Sequence, residues 1–151
     1  MLWCAAQRSA GRDCEYNHGI VEPSPHTILL VDDEPSVLTI VDTVLRRSGY
    51  HVIAVSNPLE ALQYSQNADV RIDLLLTDIV MPHMDGPQLA ELFGNASPMS
   101  KVLYMSGHPT AAILARGLPA NAQILQKPFL PKELLERVGR ILATRAVSAS
   151  A

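Results

Sequence analysis

The stretch IDLLLTDIVMPHMDG, from Ile72 to Gly86, limits the fold more than any other part of this chain. Three consecutive leucines, Leu74 to Leu76, run straight into Thr77-Asp78, and a Met-Pro and an Asp-Gly-Pro follow. A short apolar run bounded by turn residues reads as a strand buried on both faces. It delivers one carboxylate, Asp78, to a loop. Strands of this kind belong to parallel sheets covered by helices, where ligands bind at the carboxyl ends of the strands.

The rest of the chain repeats the pattern. Thr27 to Val31 is a short apolar run that ends in Asp32-Asp33-Glu34, and Pro35 suits the first turn of a helix. That helix carries Val37, Leu38, Val41, Val44 and Leu45 on one stripe and stops at Ser48-Gly49. A second strand, HVIAV (51–55), is followed by Asn57-Pro58, a cap and a first-turn proline, and a short helix with Leu59, Ala61 and Leu62. After Asp85-Gly86, Pro87 opens a helix with Leu89, Ala90, Leu92 and Phe93 that should end at Gly94-Asn95. KVLYM (101–105) is the fourth strand, a short helix over roughly 110–116 follows, and AQIL (122–125) is the fifth strand. A last helix from Pro131 carries Leu134, Leu135, Val138, Ile141 and Leu142. Five strands alternating with five helices predict a doubly wound α/β fold: a five-stranded parallel sheet with helices on both faces.

The domain is expected over residues 26–144, with an irregular extension at 1–25 and a short tail at 145–151. With 151 residues, 48% of them hydrophobic and 18% charged, the chain can bury a core and is not of disordered composition. A net charge of −3 argues against a nucleic-acid binder. Neither a membrane span nor a secretory leader is recognisable, so a cytoplasmic location is the expectation. Cys4 and Cys14 match no zinc spacing.

The chemistry lies at the strand ends: Asp32-Asp33 after the first strand, Asp78 after the third, Ser106 after the fourth and Lys127 after the fifth. A parallel sheet puts all of these on one edge. Clustered carboxylates repel unless a cation compensates them, and an open all-oxygen site suits Mg²⁺. The lysine supplies a point charge for a phosphate oxygen and the serine a hydroxyl. Together they describe a carboxylate that accepts a phosphoryl group, with Asp78 as nucleophile. His83 and His108 read as exposed loop residues, since zinc would need further imidazoles or thiols.

Residues 27–143 resemble a response-regulator receiver domain, the CheY-like phosphoacceptor module of two-component signalling. The resemblance rests on LLVDDEP, LLLTDIVMPHMDG, VLYMSGH and QKPF, in that order along the chain. It implies the flavodoxin-like strand order 2-1-3-4-5. It also implies that Asp78 is phosphorylated, that Asp33, Asp78 and the Val80 carbonyl bind Mg²⁺, and that Asp32 binds it through water. Ser106 becomes the switch hydroxyl, Lys127 binds a phosphoryl oxygen, and the Lys127–Pro128 bond is cis. Val80 and His108 occupy places that tune the lifetime of the phosphorylated state. The implied donor is a sensor histidine kinase or a histidine phosphotransfer protein, and the output is altered affinity for a downstream protein. The chain would catalyse only its own phosphotransfer and dephosphorylation, and would not be an enzyme in the turnover sense.

Two positions depart from the family. Ile124 stands where an aromatic often couples to the switch hydroxyl, and Leu130 where a capping residue often precedes Pro131. A missing side-chain cap costs about 1 kcal/mol. Only Thr144 to Ala151 follow the last helix, which leaves no room in this sequence for a DNA-binding output domain. A free-standing regulator and the receiver of a hybrid sensor kinase both fit. A Mg²⁺-dependent aspartate-nucleophile phosphatase is the competing class. Those enzymes place two acids two residues apart on the first strand, whereas here the acids are adjacent and the acceptor follows the third.

Overall fold

The computed structural model describes residues 26–109, 117–119 and 121–143. The two cysteines, the N-terminal extension, the tail and the helix expected over 110–116 lie outside the described residues. The described elements are β1 (Thr27–Val31), α1 (Pro35–Arg47), β2 (His51–Val55), α2 (Pro58–Ser65), β3 (Leu74–Asp78), α3 (Gly86–Ala96), β4 (Lys101–Ser106), β5 (Ile124–Gln126) and α4 (Pro131–Ala143).

The five strands form one sheet in the order β2-β1-β3-β4-β5, and every pairing is parallel. Side chains alternate across a strand, so each central strand feeds two cores. Ile28, Leu30, Leu74, Leu76, Leu103 and Met105 pack with Val41 and Leu45 of α1 and with Leu134, Val138 and Ile141 of α4. On the opposite face Leu29, Val31 and Leu75 pack with Ala61 of α2 and with Leu89 and Phe93 of α3. That is why Leu74 to Leu76 is apolar without interruption: neither face of β3 meets water. Each such side chain contributes roughly 1.5–3 kcal/mol relative to exposure.

Three details differ from expectation. α3 passes through Gly94 and Asn95 to Ala96, and the Ser97 N–H closes it on the Phe93 carbonyl at 2.8 Å. Glycine ends a helix by taking a positive φ, as Gly49 does after α1 at 98°; Gly94 is not among the positive-φ glycines. β5 begins at Ile124 and ends at Gln126, the three residues that pair with Tyr104 to Ser106 of β4. Leu59 and Leu92 are exposed, so the apolar stripes of α2 and α3 are narrower than the sequence suggests.

Candidate functional site

The loops at the carboxyl edge of the sheet are fixed by local chemistry. Asp32 is fully buried, and its Oδ1 accepts the Glu34 N–H at 2.8 Å, turning the chain from β1 into α1. Pro35 occupies the first turn of that helix. After β3, the Ile79 N–H donates to Oδ1 of Asp78 at 2.8 Å and to the Met105 carbonyl at 3.0 Å. The Gly86 N–H then reaches back to the Ile79 carbonyl at 2.7 Å. Asp85 and Gln88 form a reciprocal capping box that starts α3.

This edge brings four of the predicted residues together. Carboxylate oxygens of Asp32, Asp33 and Asp78 lie within 4.8 Å of one another. Nζ of Lys127 stands between two of them, 3.1 Å from Oδ2 of Asp32 and 3.5 Å from Oδ2 of Asp78. The Lys127–Pro128 bond is cis. Ser106 closes β4 one residue beyond Met105, the partner of Asp78 in the sheet register. Its buried Oγ accepts the His108 N–H at 2.9 Å. Val80 is half-buried in the loop after Asp78, and His83 is exposed with φ 73°.

Burial raises the pKa of the Asp78 carboxyl above its ordinary value. The Lys127 ammonium and the Ile79 N–H pull it down, while Asp32 and Asp33 push it further up. Negative charge is therefore in excess at this edge. Three acids of graded exposure, Asp32 buried, Asp78 half-buried and Asp33 exposed, form a hard-oxygen set open on one side. Such a set fits a small divalent cation that keeps some of its water.

Sequence reasoning passed over two supporting residues. Thr77 is fully buried and donates its hydroxyl to the Asp78 carbonyl at 2.9 Å. Its signal was a lone hydroxyl inside an apolar run. Gly86 leaves room for that same carbonyl: a Cβ there would stand 2.5 Å from the Asp78 oxygen. Asp32, Thr77 and Ser106 are the buried polar residues among those described, and all three belong to this edge. Buried polar groups cost free energy unless paired, and here each is paired.

A five-stranded sheet of order 2-1-3-4-5 with an acidic triad and a lysine at its carboxyl edge defines a class of protein. The sequence pattern of the response regulator receiver domain matches residues 28–139. The chain is 33% identical over 116 residues to the response regulator receiver protein CpdR of Brucella abortus, covering 76% of this chain and 95% of CpdR. It is 36% identical over 118 residues to the sensor kinase CckA of the same organism, covering 77% of this chain but only 12% of the kinase. A response regulator receiver protein from Sinorhizobium medicae superposes with a TM-score of 0.72 at 32% identity, over 81% of this chain and 98% of that one. The chain belongs to the response-regulator receiver family and carries a receiver domain of two-component signalling systems. Among the described residues, no helix is long and apolar enough to cross a membrane.

Proposed function

We propose that this receiver is a phosphoacceptor modified on Asp78. The observation that supports the reading most directly is Lys127 Nζ between the carboxylates of Asp32 and Asp78, beside a third acid. The donor is a phosphohistidine on a sensor kinase or a phosphotransfer protein. A carboxylate oxygen of Asp78 attacks phosphorus, the P–N bond breaks as the P–O bond forms, and the freed imidazole takes a proton from solvent.

Asp33, Asp78 and the Val80 carbonyl would be the direct ligands for Mg²⁺. Asp32 would hold it through water, since its two oxygens already serve the Glu34 N–H and Lys127. When bound, Mg²⁺ supplies positive charge to the transferring phosphoryl oxygens. Lys127 supplies more from the other side and can exchange its Asp78 contact for a phosphoryl oxygen. Ser106 offers its hydroxyl to a further oxygen. The chain thus promotes its own modification without turning over a substrate. The modified state, whose phosphoryl group carries about −2 where the carboxylate carried −1, alters the loop after Ser106 and thereby the affinity for a downstream protein. The likeness to both CpdR and the CckA kinase supports the same chemistry in either setting.

The test is Mg²⁺-dependent labelling by a small phosphodonor, comparing wild type with Asp78→Asn. Label on wild type alone is the expected result. Equal label on both proteins would remove Asp78 from its role, and steady release of phosphate from a small phosphomonoester would favour the phosphatase reading.

A further inference from the structure

Gln126 ends β5 immediately before Lys127 and has no part in the phosphotransfer itself. Its side chain turns back over the end of β4. One nitrogen, Nε2, donates to the His108 carbonyl at 2.8 Å and to the Ser106 carbonyl at 3.3 Å. A carboxamide nitrogen carries two hydrogens, so both are committed to this one loop. The main chain adds a third tie, from the Lys127 N–H to the same Ser106 carbonyl at 2.6 Å. Within the loop, the His108 N–H donates to Ser106 Oγ. The residue that carries the buried hydroxyl is therefore pinned at its carbonyl from β5 and at its oxygen from His108. His108 is in turn pinned at its own carbonyl by Gln126.

These bonds differ in how easily they break. The Lys127 tie continues the strand pairing, from a half-buried residue to a buried one. The Gln126–His108 bond is exposed, between two exposed residues, where water can replace either partner. If Ser106 Oγ is drawn toward a group on Asp78, its bond from the His108 N–H must lengthen unless His108 moves with it. The Gln126 bond to the His108 carbonyl opposes that movement. Ile124, the other end of β5, has no polar side-chain group with which to sense that movement.

We propose that Gln126 is a positioning residue for Ser106: a latch that holds the 106–108 loop in its resting form and is released when Asp78 is phosphorylated. The proposal rests on the reading of Asp78 as phosphoacceptor. A restraint that favours the resting loop must, by linkage, weaken whatever favours the released one. Removing the latch therefore lowers the stability of the resting protein while tightening its hold on a phosphoryl mimic. A merely structural glutamine would do the first without the second.

The experiment uses the full chain, wild type and Gln126→Met, which keeps the length of the side chain and loses its donors. Beryllofluoride binding is measured by calorimetry at saturating Mg²⁺, alongside thermal melting and hydrogen exchange at the His108 amide. The expected result for the variant is a melting point lower by a few degrees, faster His108 exchange, and beryllofluoride affinity higher by about fivefold. If wild type binds beryllofluoride and Gln126→Met binds it no more tightly, the latch is wrong and the phosphoacceptor reading stands. Unchanged His108 exchange also overturns the latch, whatever the affinity. If wild type binds no beryllofluoride and takes no label on Asp78, the reading of the site falls and the latch falls with it.

Discussion

Gly86 shows how closely the main chain is drawn around Asp78. A methyl group at this position would meet the Asp78 carbonyl oxygen at 2.5 Å and the Ile79 Cα at 3.0 Å, both main-chain atoms that cannot rotate aside. Gly86→Ala must therefore push the 79–86 loop off the end of β3. A cost of about 1–3 kcal/mol is expected from overpacking of this kind, read as a lower denaturation midpoint at unchanged slope. Labelling of Asp78 should fall along with it, because the same shift moves the acceptor against Lys127. A variant with wild-type stability and labelling would show that the loop has more room than the structure gives it. Asp32, Asp33, Asp78 and Lys127 were legible in the sequence because a charged residue after an apolar strand breaks a pattern. Gln126 was not: a glutamine at the end of an edge strand looks like any solvated side chain until its two acceptors are seen. Thr77 lay between, visible as a hydroxyl in LLLTD but with no role the sequence could supply.

At the scale of elements, periodicity located the four helices and five strands among the described residues, and two of the discrepancies come from their ends. Gly94 signals a stop in sequence, yet α3 runs past it because Phe93 still has a partner in the Ser97 N–H. β5 could not be bounded from sequence because its length depends on how far the chain runs alongside β4, here from Tyr104 to Ser106. The start of α4 is more instructive. Leu130 cannot cap the helix with its side chain, but its own N–H donates to Glu133 Oε1 at 2.9 Å, so half of a capping box is present. The missing half should be recoverable. Leu130→Ser supplies an acceptor for the first turn and removes an exposed apolar side chain, so the variant should gain about 0.5–1 kcal/mol in equilibrium denaturation. A neutral or destabilising outcome would mean that the turn from Pro128 into α4 cannot place the hydroxyl over the helix end.

The whole molecule concentrates charge where its strands end. Parallel pairing directs the carboxyl ends of β1 and β3 to one edge, so the topology that builds two apolar cores also crowds Asp32, Asp33 and Asp78 together, with Lys127 against the first and the last. That crowding has a thermodynamic signature in the protein without metal. The Asp78 carboxyl is raised above its ordinary value of 3.8, first by burial. The folded state thus binds its proton more tightly than the unfolded chain does. Stability associated with this group is full below that ordinary value and is lost as pH rises through the raised one. At neutral pH, where wild type carries the disfavoured charge, Asp78→Asn should melt a few degrees higher than wild type in a chelating buffer. The two melting points should draw together as the solution is acidified into the carboxylate range. Mg²⁺ should act in the same sense as the substitution. Binding only to the folded site, it stabilises wild type by mass action, about 2.7 kcal/mol at a hundred times its dissociation constant. Asp78→Asn has lost one charged ligand and should gain less from the same addition. The substitution and the metal relieve the same repulsion, so their effects on melting should be less than additive. A thermal melt of both proteins, with chelator and with excess Mg²⁺, measures that directly. If Asp78→Asn melts below wild type in chelator, or if Mg²⁺ raises both proteins equally, charge crowding at Asp78 is not what the metal answers.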